Sequence, residues 1–390
     1  MAVIEPIVRL QEEMTRWRRD IHAHPELGFE ENRTSDLVAE KLRSFGLEVH
    51  RGIGKTGVVG VLRAGSAERS VGLRADMDAL PMHEANTFAH RSTSDGRMHA
   101  CGHDGHTAML LGAAKYLAET RNFDGVVNFI FQPAEEGIGG ARAMIADGLF
   151  EKFPCEGVFG MHNRPGLALG KFAVRAGPMM AGGGFFDIRV TGKGSHGARP
   201  ESGVDPVLVA AHIAIALQSI VSRNVRPIDA AVVSVTRING GDAYNVIPQT
   251  AQLSGTVRAF TREVMSLIET GMRRIVKGTA EAFGATAEVD FRVIFAPTVN
   301  DAAQADFVAG VCAEVAGEDN VNRNPPLIVA SEDFSFMLEK VPGAYFNIGN
   351  GDGEGACEVH NPGYDFNDAA LALGASVFAR IVEKKLAKDG

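Results

Sequence analysis

Cys101 and His103 place a thiol and an imidazole two residues apart across Gly102, a spacing that lets both face one metal ion. They belong to a longer run, Met98 to His106, in which His99 and His106 are further nitrogen donors. By itself such a run is equally a histidine-rich loop with one buried thiol and no ligand. The adjacent pair Glu135-Glu136 asks for two roles, because neighbouring side chains do not usually reach the same atom. Glu136 is read as a metal ligand. Glu135 is read as a base that takes a proton from an attacking water and delivers it to a departing amine, the proton traffic that amide hydrolysis demands. An isolated pair of glutamates is equally a solvated helix start.

Other residues are weaker taken singly. His162 follows a short apolar run, and Asp76 and Asp78 follow another. His360 lies in the turn-rich segment Glu358 to Gly363, where a histidine is commonly a surface residue. Ser331-Glu332-Asp333-Phe334 reads as a helix N-cap with an acidic first turn. Gly192 to Gly197 lacks the spacer and the following Ser/Thr of a phosphate loop, so His196 is read instead as a donor to a developing oxyanion. Asn245 and Arg258, polar among strand-like apolar patterns, suit a substrate carboxylate, which arginine can grip with two parallel bonds.

Elements that would position these groups are legible in the apolar periodicity. The stretch from about Ile7 to Phe45 is predicted to form two helices around the turn at His24 to Gly28. Apolar runs at Val58–Leu62, Val71–Arg74, Val126–Phe131 and Val158–Met161 alternate with helical patterns such as His106–Glu119 and Gly140–Asp147. That alternation predicts an α/β domain with a mixed, largely parallel sheet covered by helices. Asp76, Asp78, Glu135, Glu136 and His162 all follow such runs, and open α/β sheets bind ligands at the carboxyl ends of their strands. From about Gly184 the order becomes strand, helix, strand, strand, helix, strand, which is a β-α-β-β-α-β unit inserted into the larger domain. The expected division is 1–183 with 297–390 for the catalytic domain and 184–296 for an α+β insert. Val207 to Val221, the most apolar stretch, is too short for the roughly 20 residues that span a bilayer and is expected to be a buried helix.

Composition narrows the function classes. A chain of 390 residues with 45% hydrophobic and 22% charged residues can build folded domains. A net charge of −9, without a basic run, argues against nucleic acid as a partner. Met1 to Asp20 mixes charged with apolar positions and is not of signal-peptide type, and no membrane association is expected. Four widely spaced cysteines, never as CxxC, suggest reduced thiols in the cytoplasm.

Taken together, RRDIHAHPELGFEE (Arg18–Glu31), GLRADMDALPMHE (Gly72–Glu84), MHACGHDGHTAMLLGAA (Met98–Ala114), FQPAEEG (Phe131–Gly137), GMHNRP (Gly160–Pro165), GKGSHGARP (Gly192–Pro200), SEDFSF (Ser331–Phe336) and HNPGYDFND (His360–Asp368) resemble the M20 metallopeptidase and aminoacylase family. The resemblance spans nearly the whole chain. It is greatest to the subfamily of hippurate hydrolases, auxin-conjugate hydrolases and N-acyl-amino-acid amidohydrolases. It implies Cys101, His103, Glu136, His162 and His360 as ligands of two divalent metal ions, with Glu135 as general base and Asp78, with Asp76 beside it, supporting the metal site. Zinc or manganese is implied first, with nickel and cobalt as further members of the set. The insert is implied to be a ferredoxin-like lid that joins a homodimer and carries His196, Asn245 and Arg258 to an active site.

The expected activity is hydrolysis of the amide bond of an N-acyl-L-amino acid of hippurate or N-acetyl type. The same core serves dipeptidases and deacetylases of N-acetyl-diaminopimelate type. A metal-binding protein without turnover would have no use for the spare carboxylate of Glu135, and a non-haem iron oxidoreductase would not need the thiol.

Overall fold

The structure is a computed structural model that describes residues 3–352 and 357–388. The chain divides into two compact units, one comprising Met1–Met179, Val299–Pro326 and Asp333–Gly390, the other Met180–Thr298 and Leu327–Glu332.

The first unit is built on an eight-stranded sheet. Its centre is four parallel strands, in the spatial order Gly125–Gln132, Ser70–Asp76, Gly157–Arg164 and Gly343–Gly349. Every residue of Ser70–Asp76, Gly125–Gln132 and Gly343–Gly349 is buried, which is why these segments read as continuous apolar runs rather than as alternating ones. Gly57–Ala64 pairs antiparallel with Gly125–Gln132, and Glu48–Ile53 closes that edge. The edge strand was not anticipated from the sequence: its mostly exposed, polar residues carry no apolar signal. Helices Gln11–Ala23, Asn32–Ser44, His103–Thr120, Ala302–Ala316 and Leu371–Lys385 pack with the sheet into one core containing Met14, Leu42, Leu73, Phe129, Phe159, Phe346 and Phe378.

The second unit has a four-stranded antiparallel sheet in the order Ala231–Gly240, Thr250–Ala259, Gly182–Thr191, Thr286–Phe295. With helices Pro206–Ser219 and Arg262–Ala282 inserted in the chain order, this is the expected β-α-β-β-α-β unit. Burial alternates along Gly182–Thr191 and Thr250–Ala259, so one face carries Phe186, Ile188, Val190, Leu253 and Val257 into a core with the helices. The helix at Pro206–Ser219 is not the buried helix expected: Ile215 is 73% and Leu208 49% exposed. Its apolar residues surround the helix, whereas this unit's core accepts only one side of it, through Val209, Ala210, Ile213 and Leu217. Ser331 to Phe334 is also not a capped helix start. The short helix Ser335–Leu338 has Phe334 at its N-cap and no capping side chain, and Asp333 is drawn into the first unit.

One buried charge cluster in the first unit ties four segments together. Arg18, on helix Gln11–Ala23, lies 2.6 Å from Asp365 and 2.7 Å from Asp368, and 3.5 Å from Asp104. His22, one turn further, lies between two carboxylates, with Nδ1 2.8 Å from Asp104 and Nε2 3.1 Å from Glu84. Asp104 directly follows His103, so the cluster anchors the loop that carries Cys101 and His103. Burial alone would lower the His22 pKa, but the bonds to Asp104 and Glu84 outweigh it and raise the pKa to about 9.

The charged imidazole therefore stabilises the fold fully below its ordinary pKa of 6.5, and the contribution is lost as pH rises through about 9. Urea unfolding across that window is expected to show His22→Gln lacking roughly 2–3 kcal/mol of the wild-type stability at the acid end, with the two proteins converging at the alkaline end.

Candidate metal centre

Four segments meet at the carboxyl ends of the parallel strands. Asp76 ends its strand and Asp78 follows; Glu135 and Glu136 follow Gln132; His162 lies in the last part of Gly157–Arg164; Cys101 and His103 come from the loop before helix His103–Thr120. Gly102, with φ of +94°, turns that loop. A Cβ there would lie 2.1 Å from Asn163 Oδ1 and 2.7 Å from Tyr364 Oη, so only glycine lets the loop close against these groups.

Among the described residues five sets of three potential ligating side chains lie within 4.8 Å of one another, and two of them are built on the thiol: Cys101 with His103 and His162, and Cys101 with Glu136 and His360. The thiol belongs to both. Its sulfur is 3.4 Å from His162 Nε2, while His360 Nε2 is 3.1 Å from Glu136 Oε1. His360 has a left-handed backbone, φ of +66°, and its N–H donates to the Ala100 carbonyl at 2.7 Å, which fastens this loop to the one bearing Cys101.

The imidazoles are oriented by their second nitrogens. His103 Nδ1 lies 2.9 Å from the Asp78 carbonyl oxygen and 3.3 Å from its carboxylate, and His162 Nδ1 lies 2.6 Å from the Asn163 carbonyl oxygen. Both rings thus present Nε2 inward, the arrangement of metal-bound histidines. His103 Nε2 is buried and receives no hydrogen bond, a cost that a cation at this point would remove. A thiol, three imidazoles and a carboxylate form a donor set suited to divalent transition metals.

The electrostatics reflect the crowding. Burial, and then the charge of Glu136, push the Cys101 thiol up. Hydrogen bonds to Cys101 and to Glu136 raise His360 to about 10. Burial, reinforced by the neighbouring His106, pushes His162 well below the usual histidine range. Divalent cations would displace the protons for which these groups compete.

Glu135 is buried, and its carboxylate comes within 4.8 Å of ligating atoms of His103 and Glu136. The two aspartates divide by partner. Asp78 receives the Glu136 N–H at 3.0 Å and faces His103, so it touches both ligand groups. Asp76 is held instead by Arg74 at 2.7 Å and His106 at 2.6 Å. Burial opposes its ionisation, but the charges of Arg74, His103 and His106 keep its carboxyl well below the usual range.

His196, Asn245 and Arg258 belong to the second unit. His196 is exposed on a two-residue ladder with Val246 and Ile247, and the Gly197 N–H donates to the Asn245 carbonyl, so these two residues are neighbours. Arg258 lies on strand Thr250–Ala259, where Nη1 donates to Thr256 Oγ1 at 2.7 Å.

Several residues of the centre have tasks that the sequence does not announce. His106 was visible only as one more histidine of its run; its ring spans Asp76 and Asn163, each within 2.7 Å. Asn163 donates in turn to Tyr364 Oη. Asp333 accepts from Gln132 at 2.7 Å and from the Ala141 N–H at 2.9 Å, bracing the segment that contains Glu135. Their task is defined by partners distant in sequence, so no local spacing announces it.

Comparison with known proteins agrees with this architecture. Residues 72–384 match the model of peptidase family M20/M25/M40. The hippurate hydrolase of Campylobacter jejuni is 47% identical, covering 99% of this chain and 100% of that protein. The IAA-amino acid hydrolase ILR1-like 4 of Arabidopsis thaliana is 41% identical, over 95% of this chain and 84% of its own. The crystal structure of the Bacillus subtilis YXEP protein, described as a dinuclear metal binding peptidase from the M20 family, superposes with a TM-score of 0.85 at 33% identity and covers 97% of this chain and 99% of that one. A shared core, a full-length relative and an ordered ligand set lead to one conclusion: the chain belongs to peptidase family M20/M25/M40.

Proposed function

We propose that this protein is a two-metal amidohydrolase that cleaves N-acyl-L-amino acids to a carboxylic acid and the free amino acid. The observation that carries this reading is the Cys101 thiol shared between two ligand groups, with the Glu135 carboxylate beside them. The hippurate hydrolase and IAA-amino acid hydrolase relatives support the substrate class.

Cys101, His103 and His162 would hold one divalent cation, and Cys101, Glu136 and His360 the other, with zinc or manganese favoured and nickel or cobalt as alternatives. Bound there, the cations supply Lewis acidity and make water a better nucleophile. Glu135 takes the proton from the attacking water and passes it to the departing nitrogen. Asp78 fixes the tautomer of His103 and the backbone of Glu136. Asp76 anchors His106 and Arg74 beneath the centre.

His196 is assigned to the developing oxyanion, and Asn245 and Arg258 to the free carboxylate of the amino acid. The second unit, 184–296 in the sequence reading, acts as lid and homodimer contact in this proposal. Exposed apolar residues on its helix, Leu208 and Ile215, and on its edge strand, Val232 and Ile238, support the contact. Cys101, Cys155 and Cys312 are free thiols, which supports a reducing, cytoplasmic location.

Hydrolysis of hippurate and N-acetyl-amino acids is expected to vanish on chelation and to return with added metal. Glu135→Gln is expected to lower kcat by about 100- to 10,000-fold while keeping bound metal; undiminished turnover would remove Glu135 from the proton path. Metal analysis of Cys101→Ala is expected to show both sites weakened, whereas loss of one metal alone would mean the thiol is not shared. Arg258→Met is expected to raise KM for N-acyl amino acids and to leave kcat/KM unchanged for the corresponding N-acyl amines, which keep the amide but lack the carboxylate; an equal loss on both would place Arg258 elsewhere.

A further inference from the structure

Glu31 takes part in none of these steps, yet its side chain is fully buried. It stands at the N-cap of helix Asn32–Ser44 but does not cap it. The first-turn N–H groups of Arg33 and Thr34 are taken instead by Glu26, at 2.9 and 2.8 Å. The Glu31 carboxylate turns inward: Oε1 accepts from the Ala134 N–H at 2.8 Å, and Oε2 accepts from Thr56 Oγ1 at 2.5 Å. Burial works against its charge and pushes Glu31 up to about 7.

Ala134 is the residue just before Glu135, and its φ of +53° puts it in the left-handed region that residues with a Cβ avoid. Its surroundings hold it there. The Ala134 carbonyl accepts from the Gly140 N–H at 2.9 Å, and Gly28 packs so closely that a Cβ on it would lie 3.0 Å from Ala134 Cα. The backbone angles at Ala134 set the directions in which the next two side chains leave the chain, and those are Glu135 and Glu136. Without an acceptor for its buried N–H, Ala134 has reason to relax toward ordinary β or right-handed angles, and both carboxylates would swing with it.

We propose that Glu31 is a positioning residue that, by holding the strained Ala134, aims Glu135 at the proton path and Glu136 at the metal. The part concerning Glu135 rests on the function proposed above; the part concerning Glu136 needs only that it ligates.

The test compares Glu31→Gln, Glu31→Asp and Glu31→Met in the full chain loaded with cobalt(II), reading kcat, KM, bound cobalt and the visible absorption spectrum. Glutamine keeps the acceptor for Ala134 and offers its amide to Thr56, so wild-type kcat and spectrum are expected. Aspartate keeps the charge but is one methylene too short, and methionine keeps the length but not the acceptor. Both are expected to lower kcat by about 10- to 100-fold, with KM little changed and the cobalt spectrum altered. Folded Glu31→Asp or Glu31→Met proteins with wild-type kcat and spectrum would overturn the proposal, as would a Glu31→Gln protein as impaired as the other two. If Glu31→Met does not fold, the contrast between glutamine and aspartate carries the same decision. Glu135→Gln is measured alongside. Its retention of activity would sink the role of Glu135, while the cobalt spectra would still decide whether Glu31 sets the turn.

Discussion

A thiol, three imidazoles and two carboxylates gathered around one point have no stable reason to be there without positive charge among them. Hydrogen bonds to Cys101 and Glu136 raise His360, burial and then the charge of Glu136 raise the Cys101 thiol, and His103 Nε2 is left buried without a hydrogen bond. Two divalent cations would resolve all three features together. The remainder of the first unit can be understood as the means of forcing this arrangement. The sheet brings Asp78, Glu135 and His162 to its carboxyl end, and the loops of Cys101 and His360 are fastened to each other by one backbone hydrogen bond.

Rigidity around the centre comes from buried polar groups that are paired with one another. Arg74, Asp76, His106, Asn163 and Tyr364 form one chain of contacts, and Arg18, His22, Asp104, Glu84 and Asp365 form another. Such networks are costly if one member is left unsatisfied, so they specify a single arrangement more sharply than apolar packing does. Backbone strain collects in the same places. Ala134 and His360 are among the few non-glycine residues with positive φ, and each lies in a segment that carries a proposed metal ligand. Strain of this kind persists only where the surroundings over-determine it, as the partners of Ala134 do.

The second unit follows a different economy. Its sheet is covered on one face, and its most apolar helix leaves Leu208 and Ile215 in solvent. The proposed dimer contact rests on these residues and on Val232 and Ile238 of the edge strand Ala231–Gly240.

By itself the sequence determined the class of fold, and it pointed to an insert and to candidate ligand types, because these depend on local signals. Val126–Phe131 announced a buried parallel strand, the series from Gly184 announced the β-α-β-β-α-β unit, and Cys101, His103, Glu135 and Glu136 are the residues on which the proposed metal-assisted proton chemistry was read. The edge strand Glu48–Ile53 stayed hidden because strands paired on one side need no apolar run. The helix Pro206–Ser219 misled because apolar composition does not say which face finds a partner. Tertiary structure alone decided that the Cys101 thiol lies near both His162 and the Glu136–His360 pair, that Asp76 pairs with Arg74 and His106 while Asp78 faces His103, and that Asp333 and Glu31 bond the backbone on either side of Glu135. Those assignments depend on which oxygen lies within a few ångströms of which donor, at chain separations from two residues for Arg74 and Asp76 to 192 for Ala141 and Asp333, and hydrogen bonds and charges act over distance in space, not along the chain.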